Sequence, residues 1–151
     1  MRAIAVALGS NLGSRDGNIR MAAAALARIL RNFRISSIIE TAPVGPGLEE
    51  DPPYLNAVGV GESDLPVREI FDALRTIEQQ TGRTRPYPGA PRTLDLDLIL
   101  AGDEVLDDPD LQVPHPRFRD RLFVLDPLCE IAPDLVDPVT GLTIRQLRRK
   151  L

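Results

Sequence analysis

The sequence predicts an α+β domain in which helices pack on one antiparallel sheet, and three observations carry this prediction. Two segments show the 3.6-residue apolar period of helices, and they alternate with four short segments that have strand composition. Their order is β-α-β-β-α-β, followed by a helical extension at the C-terminus. The 151 residues, of which 43% are hydrophobic, suit a single domain spanning residues 1–151. The expected architecture is therefore a ferredoxin-like antiparallel sheet with a C-terminal helical extension.

The first part of the chain predicts three strands and one helix. Ala3 to Leu8 is an apolar run that ends in a Gly-Ser-Asn turn, which is typical of a buried strand. Apolar residues at helical spacing from about Ser14 to Arg31 predict the first helix. Phe33 to Glu40 and Tyr54 to Gly61 have the composition of strands.

Two loops rich in proline and glycine interrupt these elements. Thr41 to Pro53 contains four prolines and two glycines and has no periodicity, which is typical of a binding loop. Arg83 to Pro91 is a second loop of this kind, and it leads directly into the most informative strand of the sequence. We therefore expect both loops to border a ligand site.

The second half predicts one long helix, one strand and a helical tail. The helix begins at Pro66, which is favoured at a helix start, and ends at Gly82, which is favoured just after a helix. The strand spans Arg92 to Leu100. Beyond it we expect a loop-like stretch, a short helix and a basic terminal helix, at Asp107 to Phe118, Phe123 to Ile131 and Thr143 to Leu151 respectively.

The predicted strand from Arg92 to Leu100 carries two carboxylates. Leu94, Leu96, Leu98 and Leu100 alternate with other residues, so one face is expected to be apolar and the other to carry Asp95 and Asp97. Their Cα atoms would lie about 6.6 Å apart, and two such charges repel by roughly 3 kcal/mol at an effective dielectric near 20. Either the pair lies on a solvated outer face, or it binds Mg²⁺ and phosphate. Metal binding is our working hypothesis.

Four arginines lie near these carboxylates or near the single histidine in the sequence: Arg83, Arg85, Arg92 and Arg121. Each alone is typical of a solvated surface charge. Together with two carboxylates and two proline-rich loops, they indicate a nucleotide–Mg²⁺ site. His115 lies between two prolines, and it is either a structural hydrogen-bonding residue or a donor to a phosphate oxygen.

Composition excludes several other classes of protein. The net charge of −4 and the aromatic content of 4% argue against a nucleic-acid-binding module. The N-terminal apolar run is too short for a signal peptide or a membrane span. Cys129 is the only cysteine, so no internal disulfide forms, and we interpret it as a small buried residue. We expect a cytoplasmic protein with no nucleic-acid or membrane partner.

Several motifs together resemble one enzyme family over essentially the whole chain. The chain is similar, in motif order and spacing, to the 6-hydroxymethyl-7,8-dihydropterin pyrophosphokinases, also called 2-amino-4-hydroxy-6-hydroxymethyldihydropteridine diphosphokinases. Arg-Thr-Leu-Asp-Leu-Asp is the most specific of these motifs. The segments that carry the resemblance are Gly9 to Leu12, Tyr54 to Ala57, Glu78 with Gly82 to Arg85, Pro91 to Asp97, Val113 to His115 and Pro127 to Pro133.

The resemblance implies a transferase of folate biosynthesis. Such an enzyme moves pyrophosphate from ATP onto the hydroxymethyl oxygen of 6-hydroxymethyl-7,8-dihydropterin and releases AMP. It also implies two Mg²⁺ ions with ATP as co-substrate, and a monomer that works on small molecules.

The resemblance further implies a role for individual residues. Asp95 and Asp97 would bind the metal ions, and together with Arg83 and Arg92 they would form the catalytic set. The expected ATP contacts are Glu78, Arg83, Arg85, Arg92, Leu98, His115 and Arg121. The expected pterin contacts are Thr41, Ala42, Val44, Tyr54, Asn56 and Phe123.

Three alternative functions compete with this interpretation. A non-catalytic ferredoxin-like domain that binds a small metabolite would leave Asp95 and Asp97 without a function. A nucleic-acid module on the same architecture conflicts with the charge and the aromatic content. A pyrophosphokinase for another substrate, such as thiamine, would share the chemistry but not the slot expected from Tyr54, Asn56 and Phe123.

Overall fold

The computed structural model describes residues 1–11, 13–42, 53–81 and 94–151. Within these ranges, the predicted strands and helices occur in the predicted order. The strands are β1 (Arg2–Ser10), β2 (Arg31–Ile35), β3 (Ile39–Thr41), β4 (Tyr54–Ser63), β5 (Asp95–Ala101), β6 (Leu106–Asp108) and β7 (Leu111–Val113). The helices are α1 (Arg15–Ile29), α2 (Val67–Gln80), α3 (Leu122–Ile131) and α4 (Ile144–Arg149), with a 3-10 turn at Phe118–Asp120.

The main sheet is antiparallel in every described pairing. Its strand order is β2-β4-β1-β5, and β3 also pairs with β4. β1 and β4 form the centre and pair along their length, from Arg2 opposite Ser63 to Ser10 opposite Leu55. The expectation of an antiparallel sheet with packed helices is therefore confirmed.

The predicted strand from Phe33 to Glu40 is in fact two strands, β2 and β3. Ser36 lies between them, and its Oγ accepts a 2.9 Å hydrogen bond from the N–H of Val58. The backbone N–H of Ser36 donates a 2.9 Å hydrogen bond to the Val58 carbonyl. A side chain has thus replaced a backbone partner at this point, and the strand pairing is interrupted there.

Each face of the sheet contributes to a different apolar core. On the first face, residues such as Ile4 and Val6 of β1 pack against α1 and α2, with Leu26 and Leu74 fully buried. On the second face, alternate residues such as Val58 pack against α3 and α4. The C-terminal helices therefore cover the face opposite α1 and α2.

The expected alternation holds for Leu94, just before β5, and for Leu96 and Leu98 within it, and all three are buried in the first core. It fails at Leu100, which lies in the second core together with Ile99. The pairing of β1 with β5 shifts by one residue between Ala5 and Val6. This β-bulge reverses the direction in which later side chains point.

The stretch from Asp107 to Phe118 was expected to be loop-like, but it contains the β6–β7 hairpin. These strands have three residues each, which is too short to show an alternating pattern in the sequence. The terminal helix α4 is shorter than predicted, and it begins at a capping box between Thr143 and Gln146. Among the residues that the structure describes, no helix has the length and apolar character needed to cross a bilayer.

Candidate active site

A row of three residues crosses the second face of the sheet near one end. Asp95 of β5 lies opposite Gly9 of β1, and Gly9 lies opposite Asn56 of β4. Residues directly opposite each other in antiparallel strands project from the same face. Two strand spacings of about 4.8 Å place the Asp95 and Asn56 backbones roughly 10 Å apart.

Asp95 and Asp97 project from this face, as the alternation predicted, and both are half-buried. Leu96 between them points into the first core. In the described part of the chain, no group of three or more His, Cys, Asp or Glu side chains is placed to hold a metal ion. A pair of carboxylates nevertheless suits Mg²⁺, which often takes one or two carboxylates and completes its coordination with phosphate and water.

Gly9 places no side chain between Asp95 and Asn56. A Cβ atom at Gly9 would lie 3.3 Å from Asn56 Oδ1 and 3.7 Å from the Tyr54 ring. Any side chain there would therefore press on the Asn56 amide. The absence of a side chain provides a shallow floor between a carboxylate and an amide.

Asn56 is held in one orientation. It is 7% exposed, and its Nδ2 donates a 2.7 Å hydrogen bond to Thr41 Oγ1. Thr41 is itself fixed by β3, where it lies opposite Tyr54 of β4. With Nδ2 engaged in this way, Oδ1 is on the side of Gly9. The structure thus brings together Thr41, Tyr54 and Asn56, three of the expected pterin contacts, and Ala42 follows Thr41 on the surface.

A second group of predicted residues lies between β7 and the start of α3. The backbone N–H of His115 donates a 2.9 Å hydrogen bond to the carbonyl of Ile99 in β5. The guanidinium carbon of Arg121 lies 5.4 Å from the centroid of the Phe123 ring. Phe123 is half-buried and packs against the second core. This segment therefore borders the same face as Asp95.

Burial and, to a smaller extent, the positive charges of Arg121 and Arg117 together lower the pKa of His115 to about 4, although Asp95 acts in the opposite direction. His115 is therefore neutral at pH 7. Its Nδ1 accepts a 3.1 Å hydrogen bond from the backbone N–H of Arg117, so the ring proton is on Nε2. The histidine can consequently donate a hydrogen bond to an anion without carrying a charge.

Glu78 and Leu98 were both expected to contact ATP, and both side chains are buried in the structure. Leu98 is 5% exposed and lies in the first core, which leaves only its backbone for such a contact. The Glu78 side chain is 1% exposed, and its carboxylate is bound to Arg75 and to the backbone of β5. A contact between Glu78 and ATP stays a prediction, but these bonds give the carboxylate a different role.

Sequence reasoning overlooked Gly9 as the floor of the site and Arg75 as the partner of Glu78. The available signal was a charged residue on an apolar helix face, since Glu78 follows the buried Leu74 and Ile77 of α2. Four further predicted residues lie outside the described ranges, and their roles stay predictions: Val44, Arg83, Arg85 and Arg92.

Comparison with known families and proteins gives a consistent result. Residues 5–133 match the model of the 7,8-dihydro-6-hydroxymethylpterin-pyrophosphokinase family. The chain is 41% identical over 132 residues to a Pseudomonas aeruginosa 2-amino-4-hydroxy-6-hydroxymethyldihydropteridine pyrophosphokinase, covering 86% of this chain and 80% of that protein. It is 43% identical over 144 residues to a Synechocystis protein of the same description. That alignment covers 94% of this chain and 72% of the Synechocystis protein.

The fold is also similar to solved structures. The wild-type HPPK-DHPS of Plasmodium falciparum superposes with a TM-score of 0.75 at 13% identity. The alignment covers 99% of this chain and 44% of that one, so the chain spans less than half of that larger protein. At this identity the likeness concerns the fold alone.

Proposed function

The chain belongs to the 7,8-dihydro-6-hydroxymethylpterin-pyrophosphokinase family, and on this basis we infer that it transfers pyrophosphate from ATP to 6-hydroxymethyl-7,8-dihydropterin in folate biosynthesis. The hydroxymethyl oxygen attacks the β-phosphorus of ATP and loses its proton. The bond from that phosphorus to the α,β-bridging oxygen breaks. The products are the dihydropterin diphosphate and AMP.

The row formed by Asp95, Gly9 and Asn56 is the observation that best supports this function. It places a carboxylate pair and a fixed amide on one face, about 10 Å apart, with only the glycine backbone between them. A flat bicyclic ligand can span this floor, with its amide edge at Asn56 and its hydroxymethyl group toward Asp95. Both substrates would then meet beside the carboxylates.

Asp95 and Asp97 are the residues that would hold Mg²⁺, and the family resemblance implies two ions. Bound there, Mg²⁺ would neutralise phosphate charge and favour loss of the hydroxyl proton. The two side chains sit on a β-strand rather than on a loop, which restricts their movement relative to each other. In-line transfer at phosphorus depends mainly on positioning and charge neutralisation, and two fixed carboxylates suit that requirement.

ATP would be bound on the side of His115 and Arg121. The neutral His115 would donate from Nε2 to a phosphate oxygen, and Arg121 would add a positive charge next to it. Arg83, Arg85 and Arg92 would supply further charge neutralisation along the phosphates. The pterin would be held by Asn56 and by the segment around Thr41, Ala42 and Val44, with Tyr54 and Phe123 against its ring.

We further propose that the sheet is a ferredoxin-like variant, since its strand order places β1 between β4 and β5 with all pairings antiparallel. The protein would function as a cytoplasmic monomer with Mg²⁺ as its cofactor. The alternative of a non-catalytic metabolite-binding domain is not favoured, because the relatives are described as pyrophosphokinases.

The direct test is AMP release from ATP and Mg²⁺, measured with and without 6-hydroxymethyl-7,8-dihydropterin. We expect AMP only when the pterin is present, and we expect a chelator to stop the reaction. A folded protein that binds the pterin but produces no AMP would contradict the proposed function.

A further inference from the structure

Strand β5 ends the described sheet on one side, and its outer edge is occupied by two side chains of helix α2. The backbone N–H of Leu96 donates a 2.7 Å hydrogen bond to Glu78 Oε2. The carbonyl of the same residue accepts a hydrogen bond from Arg75 Nη2. Arg75 and Glu78 are three residues apart on α2 and are joined by a 3.0 Å contact from Nη1 to Oε1. One ion pair therefore satisfies both backbone groups of Leu96.

Leu96 is the residue between Asp95 and Asp97. Its N–H belongs to the peptide plane that begins at Asp95, and its carbonyl belongs to the plane that ends at Asp97. Because peptide units are planar, fixing these two groups fixes both planes that connect the two Cα atoms. The bonds to Arg75 and Glu78 thus restrain the part of the backbone that sets the relative direction of the two carboxylates.

The other side of β5 is fixed by β1. Asp95 and Asp97 lie opposite Gly9 and Ala7, and backbone bonds alternate between the two edges of a strand. Leu96 therefore directs its polar groups outward, where a terminal strand ordinarily meets water. Here α2 takes the place of a neighbouring strand at this single residue.

The cost of this arrangement argues for a role beyond stability. The Glu78 side chain is 1% exposed and that of Arg75 is 32% exposed, and burial of a carboxylate costs solvation free energy that an ion pair often only offsets. Arg75 is held in place by the Phe71 ring, whose centroid lies 4.9 Å from its guanidinium carbon. A buried carboxylate fixed on two sides provides a rigid hydrogen-bond acceptor at one defined place.

We propose that Arg75 and Glu78 form a positioning clamp, which holds the backbone at Leu96 so that Asp95 and Asp97 present their carboxylates to the same metal–phosphate cluster. The proposal rests on the proposed function, since it assigns the carboxylates to Mg²⁺. Glu78 is a positioning residue in this scheme, because it acts through the backbone of β5. Displacement by about 1 Å would be enough to lower the rate substantially.

The test compares Glu78→Gln with Glu69→Gln, the same change at an exposed position of α2. Glutamine has nearly the same shape, but its amide cannot accept from Leu96 and also pair favourably with Arg75. We expect hydrogen exchange at the Leu96 amide, followed by NMR, to become at least tenfold faster. We also expect the Mg²⁺ concentration for half-maximal AMP release to rise, and kcat to fall, by about tenfold to a hundredfold. The KM of Glu78→Gln for the pterin should stay within about twofold of the wild-type value.

A merely structural role would lower the unfolding midpoint without changing the Mg²⁺ requirement. The proposal is therefore overturned if Leu96 exchange is unchanged in folded Glu78→Gln. It is also overturned if exchange accelerates while kcat and the Mg²⁺ requirement match those of Glu69→Gln. Should Glu78→Gln fail to fold, Arg75→Lys replaces it, because lysine keeps the charge but loses the fork that reaches both Glu78 and Leu96.

Failure of the proposed function would give a different result. If the wild-type protein releases no AMP, the function is wrong, and the clamp is then judged by Mn²⁺ binding measured by electron paramagnetic resonance. Weaker Mn²⁺ binding in Glu78→Gln than in Glu69→Gln would support the clamp, and equal binding would overturn it.

Discussion

Asp95 lies directly opposite Gly9 in the pairing of β5 with β1, so the carboxylate borders a position that has no side chain. Gly9 is at the same time opposite Asn56 in the pairing of β1 with β4. One glycine on the central strand thus connects the expected metal position with the expected pterin position. The width of the floor is set by the spacing of strands, which varies little among antiparallel sheets.

Replacing Asp97 with alanine should abolish pyrophosphate transfer and leave the fold intact. In the proposed function Asp97 holds Mg²⁺, and loss of its carboxylate would remove several kcal/mol of charge stabilisation, so we expect AMP release to fall by about a thousandfold or more. We also expect Mg²⁺ to raise the melting temperature of the wild type but not that of Asp97→Ala. Asp103→Ala, a carboxylate in the turn after β5, is the matched control and should behave like the wild type. Near-normal turnover in the Asp95→Ala/Asp97→Ala double variant would refute the metal assignment.

Substitution at Gly9 should weaken pterin binding without affecting the binding of ATP. In Gly9→Ala the new Cβ would lie 3.3 Å from Asn56 Oδ1 and would displace that amide by a few tenths of an ångström. We expect the Kd for the pterin, measured by fluorescence, to rise by about tenfold, since a misplaced buried amide loses roughly 1 to 2 kcal/mol. Asn56→Ala should raise the Kd for the pterin by more than Gly9→Ala does. Thr41→Val removes the acceptor of Asn56 Nδ2, and its Kd for the pterin should lie between those of the wild type and Asn56→Ala.

Protonation of His115 should destabilise the protein at mildly acid pH. Its pKa is about 4 in the folded protein and near 6.5 when unfolded, so the unfolded state binds the proton first as pH falls. The contribution of neutral His115 to the free energy of unfolding is therefore complete above pH 6.5, and it is lost as the pH falls from 6.5 to 4. Since the ring is half-exposed, we expect a loss of only about 1 to 2 kcal/mol.

This pH effect can be measured in two ways. His115 is the only histidine in the sequence, so its ring resonances can be titrated by NMR without ambiguity. Urea unfolding at pH 7 and pH 4.5 should show a smaller pH dependence for His115→Gln than for the wild type. An NMR midpoint near 6.5 would contradict the lowered pKa of this half-buried histidine.

Loss of Asp137 should destabilise the fold far more than loss of an exposed partner in a similar pair. Asp137 is fully buried. Its carboxylate accepts two hydrogen bonds from Arg119, of 2.5 and 2.9 Å, and one of 2.7 Å from Thr140. Asp137→Ala should lower the free energy of unfolding by about 2 to 3 kcal/mol, because it leaves Arg119 without its partner. Asp134→Ala, which breaks the exposed pair with Arg145, should cost less than about 1 kcal/mol. Equal effects would show that burial does not determine the strength of these pairs.

Asp137 should also contribute to acid sensitivity. Burial alone would raise the pKa of its carboxyl, but hydrogen bonds from Arg119, Thr140 and the Val139 backbone outweigh burial, and the pKa lies below 3.8. A carboxyl with a lowered pKa stabilises the folded state above its unfolded value and loses that contribution as pH falls. Asp137→Asn should therefore unfold with less dependence on pH below 4 than the wild type does, as circular dichroism can measure.

The sequence by itself determined the order of the long strands and helices and the placement of Asp95 and Asp97 on one face. Both depend on local periodicity, which is visible in a single chain segment. The motifs around Asn56, Asp95 and His115 also identified the family, which the family match confirmed. These features do not require knowledge of which segments meet in space.

The tertiary structure decided what depends on strand register and on contacts between distant segments. Only the register revealed that Gly9 joins Asp95 to Asn56, and only the bulge near Ala5 explains why Leu100 turns to the second core. The role of Glu78 likewise became visible only when α2 was packed beside β5. A sequence pattern shows that a residue is polar or apolar, but hydrogen bonds join residues that are neighbours in space, and folding alone brings those together.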